Sequence, residues 1–360
     1  MNISDIDANF KISGESAPDV VWHSVLEPPV TLSGVYYEES EKRFRRIPDA
    51  VAETVSVGVR GLSVHTAGGM LRFATDSSYI ALKVLSPGGA LMPHITTFGQ
   101  FGFGIYEEGK YIGTVSPSVD LANSHKPFAY EGKVMTARTR SDECRRMREY
   151  TVFFPLYSGV DALFVGVDGE AVLAESPMPY GDKYVMFYGS SITQGGCASH
   201  PGNDFVNHLA NRLGVKVLNL GFSGNGKAED TMIAYLAERD PAVFVLDYDH
   251  NAPDPAHLAA THEKLFKAFR AAHPDTPVIM ISQPDFDHRP HAEERRSIIR
   301  RTYENALRAG DKRVRYIDGE TLFGTCERDA CTVDLCHPND LGFYRMASVI
   351  YPVLRECLEM

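Results

Sequence analysis

The chain has 360 residues, 44% of them hydrophobic and 23% charged, a globular composition that excludes a disordered or fibrous protein and, at this length, suggests about two domains. Lys and Arg number 36 against 47 Asp and Glu, a formal net charge of −11, which repels phosphate backbones and anionic lipid surfaces and argues against nucleic acid and membrane partners. Six cysteines are too sparse for a disulfide scaffold.

The start, Met1-Asn2-Ile3-Ser4-Asp5-Ile6-Asp7, lacks the basic and apolar regions of a secretory signal, and no segment approaches the roughly 20 apolar residues of a membrane span. The expected location is cytoplasmic. From about Val20 to Leu173 short β-rich runs alternate with Gly, Pro and Ser, among them Leu71–Ala74, Ile80–Leu85, Phe103–Tyr106, Tyr150–Phe154 and Ala162–Val167. Strand upon strand with few helical stretches predicts a β-sandwich. The stretch Ser176-Pro177-Met178-Pro179-Tyr180-Gly181 marks a change of pattern, and the boundary is placed there, with domains over 1–176 and 182–360.

Beyond it, apolar strands alternate with helical patterns, which predicts a mostly parallel sheet covered on both faces. The strands are expected at Tyr184–Tyr188, Val215–Leu220, Val243–Tyr248, Val278–Ser282 and Val314–Ile317. Helices are expected near Asp204–Leu213, Ala228–Arg239, Pro255–Ala272, His291–Ala309 and Asp340–Cys357. Ligands of such sheets bind at the carboxyl ends of the strands. Ser191, Gly224 and Asn251 each fall just past one, and His337 lies in the final loop.

Gly189-Ser190-Ser191-Ile192-Thr193 and Asp334-Leu335-Cys336-His337-Pro338 together supply a nucleophile, a base and a carboxylate. Serine attacks at neutral pH only when an imidazole takes its proton and a third group holds that imidazole's tautomer. Asp334, three residues before His337, can reach Nδ1 and leave Nε2 facing Ser191. The plain alternatives are a helix cap at Ser191 and an Asp/His capping pair before Pro338; Ser190 is a rival nucleophile. Gly224 can bring a backbone N–H close to a substrate oxygen, and Asn251 can add a side-chain donor, or both can be turn residues. Cys144, Cys197 and Cys357 read as small buried hydrophobes. Cys326, Cys331 and Cys336 have C-x4-C-x4-C spacing, which does not suit zinc, so no metal and no cofactor is expected.

Four ordered blocks resemble the SGNH/GDSL hydrolases: Gly189–Thr193, with Ser191 at the G-D-S-L serine and Ser190 in place of Asp; Asn219-Leu220-Gly221-Phe222-Ser223-Gly224; Asp249-His250-Asn251-Ala252, keeping the asparagine of G-x-N-D; and the complete D-x-x-H-P at Asp334–Pro338. The resemblance implies a flavodoxin-like α/β/α hydrolase domain. It also implies catalytic Ser191, His337 and Asp334, with an oxyanion hole from Ser191 N–H, Gly224 and Asn251.

In the first half, Met92-Pro93-His94-Ile95-Thr96, Gly102-Phe103-Gly104-Ile105-Tyr106 and Phe154-Pro155-Leu156-Tyr157 are similar to the β-sandwich (jelly-roll-like) domain fused ahead of one SGNH subfamily. That domain is named for G-x-D-L-Y; here Gly104 and Ile105 replace its Asp and Leu. The family resemblance implies a serine esterase acting on a small acyl ester, acetyl on a carbohydrate first among them. A lipase or thioesterase on longer chains and a non-catalytic carbohydrate-binding protein are the alternatives. The expected partner is a small-molecule or oligosaccharide ester, and a homo-oligomer stays open. Phe98, Phe101, Phe103 and Tyr106 read as strand core before they read as a sugar platform. His94 and Tyr106 are the first-half residues to inspect at the cleft.

Overall fold

The structure, a computed structural model, describes residues 19–137, 145–284 and 287–360; Cys144 lies outside the described residues. The first half opens with strands β1 (Val20–Ser24), β2 (Thr31–Ser33), β3 (Tyr36–Glu38), β4 (Arg43–Arg45), β5 (Met70–Thr75) and β6 (Tyr79–Ser86). It continues with β7 (Phe103–Glu107), β8 (Lys110–Val115), β9 (Phe128–Met135), β10 (Arg148–Phe153), β11 (Ala162–Asp168) and β12 (Leu173–Ala174). One antiparallel sheet has the order β1-β11-β6-β9. The other runs β12-β5-β10-β7-β8, with β2 added beside β5. Alternation does the folding: Ile80, Leu82 and Val84 of β6 point inward to meet Leu71 and Phe73 of β5 and Tyr150 and Val152 of β10 in one core. The result is a β-sandwich. Phe101, Phe103 and Tyr106 are buried and Phe98 is exposed, so three of the four aromatics are core.

The second half carries a five-stranded parallel sheet of β13 (Tyr184–Gly189), β14 (Lys216–Gly221), β15 (Val243–Asp247), β16 (Val278–Ile281) and β17 (Val314–Ile317). Its order, β14-β13-β15-β16-β17, is the flavodoxin-like doubly wound arrangement. Among the described residues four short helices precede it in the chain: α1 (Asp49–Val55), α2 (Val57–Leu62), α3 (Thr97–Phe101) and α4 (Val119–Ala122). Six follow β13: α5 (Ser191–Gln194), α6 (Phe205–Leu213), α7 (Asp230–Ala237), α8 (Pro255–Ala272), α9 (Ala292–Arg308) and α10 (Asp340–Leu358). Local chemistry sets their ends. Asp204 caps α6 by accepting from the Asn207 N–H, and Gly214 closes it at φ 64°; Asp254 and Asn339 cap α8 and α10 in the same way.

Helices α6 and α10 pack on one face of this sheet against Val185, Phe187 and Val245. Helices α7, α8 and α9 pack on the other against Met186, Tyr188 and Leu246. The helix-poor reading of the first half meets a correction here. Ile47, Ala52 and Val59, on and beside α1 and α2, join this second core, so a first-half segment helps to cover the parallel sheet. Buried Arg46 reinforces the tie by donating to the carbonyls of Leu62, Asn219 and Gly221, with its guanidinium 4.7 Å over the Phe222 ring. Among the described residues no helix is long and apolar enough to cross a membrane.

Candidate active site

At the carboxyl end of β13 the chain turns sharply into α5. A Cβ at Gly189 would overlap the Thr193 hydroxyl and crowd the Asp247 carbonyl at 2.6 Å, so only glycine fits. Ser190 caps the short helix. Its hydroxyl accepts from the Ile192 N–H at 3.1 Å, while its own N–H donates to Thr193 Oγ1 at 3.2 Å. With its side chain fully buried and its hydroxyl engaged in the cap, Ser190 does not face the cleft. Ser191, the next residue, does: its Oγ lies 2.8 Å from His337 Nε2.

The His337 loop is built to hold that imidazole. Asp334 Oδ1 accepts from the N–H groups of Cys336 (3.1 Å) and His337 (2.7 Å), and Oδ2 lies 2.8 Å from His337 Nδ1. A carboxylate only accepts, so Nδ1 carries the proton and Nε2 is left as acceptor for the serine hydroxyl. Burial pushes the Asp334 carboxyl up, but the hydrogen bonds from the His337 N–H and ring and from the Cys336 N–H outweigh it, and Asp334 titrates below the usual carboxylate range. The loop closes through Val333 N–H to the His337 carbonyl, and is tied to the serine side by Cys197 N–H donating to the Pro338 carbonyl.

Gly224 is exposed, with φ 67°, in the loop after β14, where an added Cβ would meet nothing. The backbone angle is what calls for glycine there. Asn251 ends a short 3-10 turn after β15, and its amide donates to the Phe222 carbonyl at 2.7 Å, leaving one amide N–H for a substrate oxygen. That turn is fixed from below by Arg295, which donates to the Asp249 carboxylate and carbonyl and to the Ala252 carbonyl. Gly224 and Asn251 line one cavity of about 520 Å³ together with Lys227, His250, Gln283 and Arg289. The structure thus brings Ser191, His337 and Asp334 into one relay and sets Gly224 beside Asn251.

Several supporting groups escaped the sequence. Tyr157 donates to the Ser191 carbonyl, and Gln194 accepts from the Ser223 N–H while donating to the Leu156 carbonyl. Of the two first-half residues marked for inspection, His94 lies near the relay without joining it, its ring centroid 5.7 Å from that of His337. Tyr106 is instead buried against Phe153 in the core, with exposed Tyr111 at its outer side. Cys197 and Cys357 are buried, as is Cys331; Cys326 is exposed, and Cys336 is half-buried against Arg289. Burial, helped by Asp334 and Cys336, pushes the Cys197 thiol up to about 12.

Asp247 is the other missed group. At the end of β15 it accepts from Thr193 Oγ1 at 2.9 Å, so a buried carboxyl underpins the serine turn where Ser190 replaces the family's Asp. Desolvation pushes it up to about 7, against the opposing Thr193 hydrogen bond. A group whose folded value is raised stabilises the fold below its unfolded value and loses that contribution as pH rises through the folded one. Unfolding free energy is therefore expected to fall between about pH 4 and pH 8. Asp247→Asn keeps the acceptor and should remove roughly 4 kcal/mol of that fall, the remainder including Asp204, raised by burial to about 6. Urea denaturation at both ends of the range reads it; an unchanged slope would show that Asp247 stays ionised throughout.

Two sequence profiles match end to end: the GDSL-like lipase/acylhydrolase family over residues 182–355, and the GxDLY N-terminus of SGNH-hydrolase-type esterases over 20–173. The chain belongs to the SGNH/GDSL hydrolases. This hydrolase resembles a solved protein described as a GDSL-like lipase of Bacteroides ovatus, at 26% identity and TM-score 0.79, over 94% of this chain and 98% of that one. It shares its fold with SsfX3, a salicylyl-acyltransferase from a tetracycline biosynthetic pathway (18% identity, TM-score 0.73, 95% and 98% covered). The fold also recurs in the acetyl xylan esterase Est2A of the rumen bacterium Butyrivibrio proteoclasticus (12%, 0.60, 94% and 99%). No curated protein matches the chain.

Proposed function

We propose that this hydrolase is a serine esterase that removes a small acyl group, acetyl first among them, from a carbohydrate ester. The observation that carries the reading is the relay of 2.8 Å contacts from Ser191 Oγ to His337 Nε2 and from His337 Nδ1 to Asp334. Ser191 attacks the ester carbonyl as His337 takes its proton, and Asp334 stabilises the imidazolium that forms. His337 then returns the proton to the leaving alcohol. Water, deprotonated by the same imidazole, attacks the acyl-enzyme and releases the acid. The Ser191 N–H, at the first position of α5 where backbone donors have no helical partner, joins Gly224 N–H and Asn251 Nδ2 around the developing oxyanion.

A polar cavity favours the short-acyl, hydroxyl-rich substrate over the lipase or thioesterase reading, which would call for an apolar channel. The space beside Asn251 is lined by Lys227, His250, Asp254, Gln283 and Arg289. The test is release of acetate from a chromogenic acetyl ester and from acetylated oligosaccharides by wild type and Ser191→Ala. Equal turnover by the two would sink the assignment, and a preference for long acyl chains would move it to the lipase reading. Asn251→Ala removes one oxyanion donor and is expected to lower kcat about 10²–10³-fold, with KM little changed. A loss below about threefold would take Asn251 out of the oxyanion site.

A further inference from the structure

The relay leaves one neighbouring group without a task. His94 stands beside His337, and one ligand atom from each of His94, Cys197 and His337 lies within 4.8 Å of the other two. These residues come from three segments that are cross-tied. Ile95 packs with Cys197 and Ala198 in a common core, Thr96 Oγ1 donates to the Ser199 carbonyl at 2.5 Å, and Cys197 N–H donates to the Pro338 carbonyl. The backbones are thus fixed, while the His94 ring is exposed.

We propose that His94, Cys197 and His337 bind a soft divalent cation of the zinc class, and that loading this site switches the esterase off. Two imidazole nitrogens and one sulfur are the donor set of zinc rather than of magnesium or calcium, which take oxygen. Zinc bonds of about 2.0–2.3 Å set the donors of a tetrahedral site roughly 3.5 Å apart, a closure that a turn of the His94 ring supplies. On binding, the Cys197 thiol releases its proton to solvent, the sulfur–metal bond forms, and water takes the fourth position. His337 contributes either Nε2, which Ser191 contacts, or Nδ1, which Asp334 contacts. Either choice breaks the relay. The inhibition rests on the proposed role of His337; the binding does not.

Zinc chloride is titrated calorimetrically into Ser191→Ala, so that the readout is independent of turnover, and cobalt replaces zinc to report sulfur ligation optically. One ion per chain and a sulfur-to-cobalt charge-transfer band are expected. Adding His94→Ala or Cys197→Ser should weaken binding at least about tenfold. In the otherwise wild-type enzyme, His94→Ala should retain basal turnover while the zinc needed for half-inhibition rises by the same factor. Binding or inhibition unaffected by His94→Ala, or a cobalt complex without the sulfur band, would overturn the proposal. Binding as described in a protein without esterase activity would uphold the metal site and remove the enzymatic reading instead.

Discussion

Ser191→Ala is expected to lower kcat/KM for a small acetyl ester by about 10⁴–10⁶-fold with no loss of stability. The stability half follows from the cap. Ser190 supplies the capping hydroxyl of α5 and Thr193 the reciprocal acceptor, so the Ser191 side chain is not needed to form the turn. The activity half follows from the relay, because without a hydroxyl 2.8 Å from Nε2 no acyl-enzyme forms and only the oxyanion donors and binding remain. His337→Ala should cost about as much, and the double variant little more than either single one, since groups acting as one unit are far from additive. Asp334→Asn should be roughly 100-fold milder than Ser191→Ala: the imidazole loses its favoured tautomer, but Val333 N–H and the Pro338 carbonyl still hold its backbone. Additive losses would show that Ser191 and His337 serve separate steps. Steady-state kinetics with thermal melts on the same preparations read both halves.

Those side chains were legible because their signals are local. A serine after an apolar strand, a D-x-x-H-P block, and Asp204, Asp254 and Asn339 immediately before helices are each readable within a few residues, and caps and strand ends obey short-range chemistry. What the sequence hid is long-range. Nothing near Asp247 says that its carboxyl will lie under Thr193, 54 residues earlier. Nothing near Arg295 announces that its guanidinium will fix the turn ahead of Asn251, 46 residues from Asp249. Helices α1 and α2 escaped for a related reason. They are short and lie in a strand-rich half, and the apolar face they cover belongs to the other half of the chain, where no pattern in Asp49–Leu62 points.

Arg46 shows how much such a hidden contact carries, and Arg46→Met is expected to destabilise the protein by about 3–5 kcal/mol. The guanidinium is buried and donates to three carbonyls, those of Leu62, Asn219 and Gly221, the last pair 173 and 175 residues away. Two effects compete. Methionine relieves the cost of burying a charge and keeps contact with the Phe222 ring, which stabilises. It also takes the donor from the Asn219 and Gly221 carbonyls, at about 1–3 kcal/mol each, while the Leu62 carbonyl keeps the His65 N–H. The second wins because the carbonyls belong to the backbone and remain when the charge is gone. Arg46→Lys should recover only part of the loss, since one ammonium cannot span the fork that reaches all three. Activity should drop as well, by roughly tenfold, because Gly221 leads directly into the loop that carries Gly224, and small displacements of positioning groups are costly in rate. Urea denaturation of the three proteins, read beside their acetyl-ester kinetics, decides it. A methionine variant within about 1 kcal/mol of wild type would mean that water or a shifted loop satisfies those carbonyls, and that Arg46 adds little to the tie between the two halves.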